Sequence, residues 1–310
     1  SNAQGYDTVG YKSLDIKSFD KKNEILIYPG SNMPGADFSN MDLREVDFTG
    51  VSFPRANFSG SNLEGAKFSN AFLEDSNFSN AKLNNAILLG ANLVGTNLDQ
   101  SDLVGANLIG IVTGGHIGTP INIPTEFRML NGNLIGPGVQ IYVPADLSGL
   151  DLSGMDLSGS QFERPDFSGA NLSRVNFTGA FVYRADFSGA NLTEIILKDA
   201  VCYTPYFENT TFTGADFSGA KAYAHRGGAT NFSETGLTGV NFSGASLFSA
   251  NFSGSNLSGA NLSNAKLGPT FDIEKTSQKI GGGANFQNAN LSNADLSGAD
   301  LDDIITADIE

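Results

Sequence analysis

Tyr183, Tyr203 and Tyr223 are evenly spaced along the chain, with Arg184 after the first and His225 and Arg226 just beyond the last. Tyr206 adds a fourth phenol, and Glu163-Arg164 precedes the series by one equal step. Tyrosine and arginine are the types enriched at protein-binding hot spots. The chemistry this group offers is therefore capture of a protein partner, with Tyr183, Arg184, Tyr203, Tyr206, Tyr223, His225 and Arg226 as the candidate residues. The bland alternative is that stacked tyrosines stiffen a sheet or lie beneath a loop. Little else in the chain could do chemistry. His116 and His225 are the two histidines and lie in different segments, so neither a metal cluster nor a nucleophile–base pair assembles easily. Cys202, the single cysteine, occupies a position that calls for a small hydrophobe, not a thiolate. Asp146, Asp166 and Asp186 could form a carboxylate column that attracts a cation, but no run offers the usual calcium-loop geometry. Gly281-Gly282-Gly283 lacks the Lys and Ser/Thr spacing of a phosphate loop. No catalytic residue, metal or cofactor is expected, and the chain reads as a non-enzyme.

The element that must position these residues is a repeat. From Phe38 through Leu43, Phe48 and Phe53 to Leu108, a Phe or Leu returns every fifth residue, with a small residue two positions before it and usually Asp or Asn one before. A period of five fits neither a helix nor a strand, so it announces a repeat architecture. The frame resumes at Ala145, runs to about Pro269, and returns from Ala284 to about Asp303. A second, longer rhythm of four pentapeptides joins Phe38, Phe58 and Phe78, then Phe167, Phe187 and Phe207, then Phe212, Phe232 and Phe252. Four fives per coil give four sides, with each of these triplets expected as a vertical stack of rings. A two-sided coil could not enclose so many.

The Ala-Asp-Phe-Ser-Gly-Ala-Asn-Leu-Ser texture of 185–193 and 290–301 resembles the pentapeptide repeat family. That resemblance implies an all-β fold, a right-handed quadrilateral β-helix, in which the central Leu or Phe and the small residue two before it face inward. Counting the frame predicts about 11 coils. The expected layout is 1–35 as tag remnant and N-terminal cap, 36–110 as a first repeat run, 111–144 as an insertion, 145–269 as a second run, 270–283 as a loop, and 284–310 as final coil and C-terminus. Asn131-Gly132 between two short apolar runs predicts a β-hairpin inside the insertion, and similar interruptions occur in long bacterial members of the family. Glu24 to Pro29 could lay a capping strand over the first coil.

The formal net charge of −15 argues against direct grip on nucleic acid or anionic membranes. No apolar run approaches the roughly 20 residues that span a bilayer. Ser1-Asn2-Ala3 looks like a tag remnant with no initiator Met after it, so the sequence leaves the compartment open: cytoplasmic, or exported if a signal peptide once preceded it. Two functions follow. One is a rigid, non-enzymatic scaffold that displays the aromatic and basic strip and its loops to an unknown protein partner. The alternative comes from the resemblance, because some family members mimic DNA and protect or regulate gyrase. End-to-end homodimers are also known in the family.

Overall fold

A computed structural model describes residues 27, 29–223, 230–269, 271–272, 278–279 and 282–307. The chain divides into two compact units, Ser1–Leu134 and Ile135–Glu310.

Each pentapeptide makes one side of a coil. In Phe53-Pro54-Arg55-Ala56 the Ala56 N–H donates to the Phe53 carbonyl (3.2 Å), and Arg55 takes φ +59°. Positive φ at the third residue is what a type II turn demands, and proline suits its second position. The same left-handed corner recurs every five residues, filled by Gly60, Gly65 and Gly90 or by Asn40, Asn70 and Asn80. Such short turns leave a single outward residue per side to bridge the next coil. Asn57, Asn62, Lys67 and Phe72 pair in parallel with Asn77, Lys82, Ile87 and Asn92. Four successive bridges, each reaching four pentapeptides along the chain, make the coil four-sided.

The residues on either side of each bridge point inward. Phe58, Leu63, Phe68 and Leu73 are fully buried, as are the small residues Ala56, Ser61, Ala66 and Ala71. Phe38, Phe58 and Phe78 stack at 5.0 and 4.9 Å, and Phe48 stacks on Phe68 at 4.8 Å. Neighbouring columns meet edge to face, as at Phe58–Phe68 (5.6 Å, 89°). Each buried Phe or Leu contributes roughly 1.5–3 kcal/mol.

The outward Asp and Asn residues are structural too. Asn57 Oδ1 accepts the Ser59 N–H (3.1 Å), while its Nδ2 donates to Asp37 Oδ1 (3.1 Å) on the adjacent coil. In the second unit Asn171 and Asn191 repeat this on Asp151 and Asn171 (3.0 and 3.2 Å). Asn thus caps its own turn and donates to the adjacent coil, whereas Asp caps and can only accept from a neighbouring coil.

The ladder extends past both expected ends of the first run. It includes Asn32, which bridges Ser52, and Val112, Ile117 and Asn122, which bridge Asn92, Asn97 and Asp102. The coil persists beyond residue 110 although Thr113 and His116 stand at inward positions, because those two satisfy each other. His116 lies directly over Thr96: Thr96 Oγ1 is 2.8 Å from Nδ1 and Thr113 Oγ1 is 2.6 Å from Nε2. The Thr96 hydroxyl donates to the Leu93 carbonyl (2.9 Å), so it accepts from Nδ1–H. Nε2 is then the acceptor for the Thr113 hydroxyl, which itself receives the Leu134 N–H (3.4 Å). The imidazole is neutral, and burial holds its pKa down at about 4.

Beyond this coil lies the hairpin, β1 (Arg128–Leu130) and β2 (Asn133–Ile135). Asn131 and Gly132 connect them with φ +45° and +72°, both positive as a type I′ turn requires. The His116 N–H donates to the Gly132 carbonyl (2.8 Å), which pins the turn to the coil.

In the second unit one side carries true strands: β3 (Gln140–Ile141), β4 (Gln161–Glu163), β5 (Phe181–Tyr183), β6 (Val201–Tyr203) and β7 (Lys221–Tyr223), a parallel sheet in chain order. The ladder therefore already runs at Gln140, ahead of the expected start at 145. Above β7 the step lengthens by one pentapeptide, with Thr211, Asp216 and Lys221 bridging Gly236, Asn241 and Ser246. This corrects the third ring triplet. Phe207 stacks on Phe232 (5.3 Å, 17°), and the column continues to Phe252 and Phe286. Phe212 belongs to the adjoining side and meets Phe232 edge to face (5.9 Å, 62°).

A second jump, from Asn251 to Asn285 and from Lys266 to Asp300, is longer still. Within it β8 (Phe271–Asp272) pairs antiparallel with β9 (Gln278–Lys279). In the coil that follows, Leu291 and Leu296 are half-buried and Leu301 is 42% exposed. The expected capping strand at 24–29 lies outside the described residues except for Ile27 and Pro29; Ile27 is buried. No described helix is long and apolar enough to cross a membrane.

Candidate functional site: an aromatic corner column

The corner that follows β3–β7 is where the repeat gives up its usual Ser-Gly or Ser-Asn. Strand register places Glu163 opposite Tyr183, Tyr183 opposite Tyr203, and Tyr203 opposite Tyr223. Tyr183 and Tyr203 are half-buried, with ring centroids 6.3 Å apart and planes at 53°. Phe181, the outward residue of β5, reaches Tyr203 at 5.6 Å and remains 39% exposed. Arg184 folds back over its neighbour, with Cζ 5.3 Å from the Tyr183 centroid, a cation–π geometry. One coil away Arg164 lies 3.6 Å from Glu163, both side chains about half exposed.

Of the candidate residues, Tyr183, Arg184 and Tyr203 are brought together. Tyr206 sits on the adjoining side, where it bridges Asp186 and is more than half exposed. Tyr223 is in register through its backbone. His225 and Arg226 lie outside the described residues. Beneath the column the inward positions narrow to Val182, Cys202 and Ala222, all buried. Burial pushes the Cys202 thiol up to about 12, so it stays protonated and inert.

Three further aromatic residues belong here. Tyr142, 49% exposed, follows β3, and the pairing of Ile141 with Phe162 sets it opposite Glu163. Its hydroxyl donates to Gln140 Oε1. Phe181 is the second. Phe248 takes the same corner above β7, because Lys221 bridges Ser246. Even spacing could not find Tyr142 and Phe248. The step from Tyr142 to Glu163 exceeds a coil by one position, and a whole extra pentapeptide separates Tyr223 from Phe248. The repeated Gln-apolar pair at 140–141 and 161–162 was the signal available for the first.

The left-handed turn common to every side of the coil is filled by an unusual residue at this corner. Arg164, Arg184 and Thr204 take φ +53°, +52° and +46°. A β-branched residue there is an outlier, and the buried Thr204 hydroxyl has no hydrogen-bond partner.

The neighbouring Asp146, Asp166 and Asp186 bridge one another in a column, yet each carboxylate turns to its own corner. They accept the Ser148, Ser168 and Ser188 N–H groups at 3.1, 2.9 and 2.9 Å. The Ser148 hydroxyl, then its N–H, holds the Asp146 carboxyl below the usual range. Among the described residues no group of three His, Cys, Asp or Glu side chains is placed to hold a metal ion.

A pentapeptide repeat region model matches residues 29–108, and a pentapeptide repeats (8 copies) model matches 145–179, 183–222, 229–266 and 282–304. The chain belongs to the pentapeptide repeat family, and its fold is that family's right-handed quadrilateral β-helix. Similar solved structures include a trypsin-treated form of QnrB1, a plasmid-mediated fluoroquinolone resistance protein, at 22% identity, covering 56% of this chain and 81% of that one, with TM-score 0.28. HetL, involved in heterocyst differentiation regulation in the cyanobacterium Nostoc sp. strain PCC 7120, is 22% identical over 89% of each chain, with TM-score 0.18. A pentapeptide repeat protein of the Arabidopsis thaliana thylakoid lumen is 29% identical, covering 43% of this chain and 86% of its own, with TM-score 0.17. No curated protein matches the chain.

Proposed function

We propose that the chain is a non-enzymatic scaffold that captures a protein partner on the corner column around Tyr183 and Tyr203. The observation that carries this reading is a run of solvent-facing rings, with Arg164 and Arg184 beside them, on a chain of net charge −15. The side chains stand on a bonded parallel sheet, so they are held in place before a partner arrives and little ordering entropy is lost on binding. Combining Tyr183→Ala with Tyr203→Ala tests it. Partner capture should disappear while the thermal midpoint moves by no more than about 2 °C. Retained capture refutes the reading, and a large fall in midpoint without loss of capture assigns the rings to stability.

A second reading, a DNA-mimicking regulator or protector of gyrase, is favoured by one feature. Asp37, Asp42 and Asp47 occupy three successive sides of one coil, and Asp146, Asp151 and Asp156 do the same in the other unit. Asp37, Asp47, Asp146, Asp151 and Asp156 are fixed by capping their own turns. A supercoiling assay at two salt concentrations decides: salt-sensitive inhibition or quinolone protection supports mimicry, and its absence removes it. The half-buried Leu291 and Leu296 and the exposed Leu301 support a homodimer through their coil. Sedimentation that shows a monomer at every concentration would exclude it.

A further inference from the structure

The corner column has a length scale of its own. Successive coils rise by the inter-strand spacing of about 4.7–4.8 Å, so two coils advance about 9.5 Å. A polyproline II helix rises about 3.1 Å per residue with three residues per turn, close to 9.3 Å. An extended proline-rich segment running along the stack would therefore bring the same side chain back to the corner at every second coil.

The other common modes of peptide recognition do not suit this surface. Strand addition needs an open sheet edge, but β4, β5 and β6 are paired on both sides. A helix brings its anchors round about every 5.4 Å, out of step with the coil spacing, whereas a polyproline II turn matches two coils. The rings themselves are spaced for insertion. Inside the core Phe167, Phe187 and Phe207 close at 5.3 Å with planes within 20°. Outside, Tyr183 and Tyr203 splay to 6.3 Å and 53°, which opens a wedge where a pyrrolidine ring can lie against both. Charge narrows the occupant further. Arg164, Arg184 and the exposed Lys221 all lie in or just after strands of this one sheet on an acidic chain; Arg164 is paired with Glu163, and Arg184 is oriented over Tyr183.

We infer that the column Tyr142–Glu163–Tyr183–Tyr203 is a docking ridge for a proline-rich, acid-bearing extended segment of a partner protein. This rests on the scaffold reading and names the chemistry of its partner. Prolines at every third position lie against the rings, their carbonyls accept from tyrosine hydroxyls, and acidic residues between them meet Arg184, while Arg164 offsets the Glu163 carboxylate within the column.

The test is fluorescence anisotropy of the whole chain with a labelled peptide of three Pro-Pro-Glu triplets, beside a Gly-Ser-Glu peptide of equal charge. The proline peptide should bind saturably, and the Gly-Ser-Glu peptide at least about tenfold more weakly. Tyr183→Ala with Tyr203→Ala should weaken binding about tenfold or more, while Tyr183→Phe with Tyr203→Phe, which keeps the rings and the fold, should retain most of it. Arg184→Gln should weaken binding and flatten its salt dependence. Equal binding of the two peptides, indifference to the tyrosine-to-alanine change, or no binding at millimolar peptide overturns the inference. If the proline peptide fails while a tyrosine-dependent partner is still captured, the scaffold reading stands and this inference alone falls.

Discussion

His116 should make the stability of the first unit depend on pH in a window where few other groups act. Its imidazole is 8% exposed, bonded at Nδ1 and Nε2 by the two threonine hydroxyls, and neutral. Its pKa is about 4 in the folded chain against 6.5 for the ordinary group. Between those values the unfolded chain binds a proton that the folded chain refuses, so stability falls as pH falls from about 6.5 to 4. A gap of about 2.5 pH units at 1.36 kcal/mol each amounts to ~3 kcal/mol. The depressed carboxyls act elsewhere. Asp37, Asp102, Asp146 and Asp295 are held below 3.8, so their stabilisation is complete above that value and is lost only on going lower. Urea unfolding of wild type and His116→Gln at pH 7.5, 6.5, 5.5 and 4.5 isolates the histidine, because every other titration, including His225, cancels in the difference. The advantage of wild type over the variant should shrink by about 2–3 kcal/mol between pH 7.5 and 4.5. A fall in the protection factors of the His116 and Leu134 amides on acidification, taken relative to the slower intrinsic exchange at low pH, would place the effect at the hairpin pin, since those groups bond Gly132 and Thr113. A difference constant to within about 0.5 kcal/mol would refute the reasoning.

Two further substitutions probe the coil. Phe187→Ala empties a fully buried place between Phe167 and Phe207 and should cost about 3–5 kcal/mol in denaturant unfolding; a loss under about 1 kcal/mol would contradict the closed stack. Thr204→Gly removes both the left-handed strain and the unpaired hydroxyl, so it should stabilise by about 1–2 kcal/mol even after glycine's greater freedom in the unfolded chain is subtracted. A destabilised variant would show that the threonine methyl or hydroxyl contributes packing that outweighs its strain.

The candidate site was legible only where the four-pentapeptide rhythm held without interruption. Tyr183, Arg184 and Tyr203 sit within one such stretch, and β4, β5 and β6 bring them together. Tyr206 shares that stretch but sits one position before an inward ring, which places it on the next side. Tyr142 and Phe248 lie across irregular steps, where counting residues no longer counts coils. The Asp or Asn before each ring shows in the sequence only as a recurring position, yet Asn57 and Asn171 each bond both their own turn and the adjacent coil. That role depends on a partner one full coil away, which no local pattern displays.

The amino-acid order alone determined the four-sided coil, its inward Phe and Leu positions and the Asn131-Gly132 turn, because each follows from a short motif whose geometry is set within a pentapeptide or repeated until it dominates. Only the tertiary structure decided that the coil runs on through His116 to Asn122, and that Phe207 stacks on Phe232, which leaves Phe212 on another side. Those outcomes turn on which backbone groups pair after an insertion and on whether two polar side chains can satisfy each other inside the core. Both are settled through space, between residues that are distant along the chain.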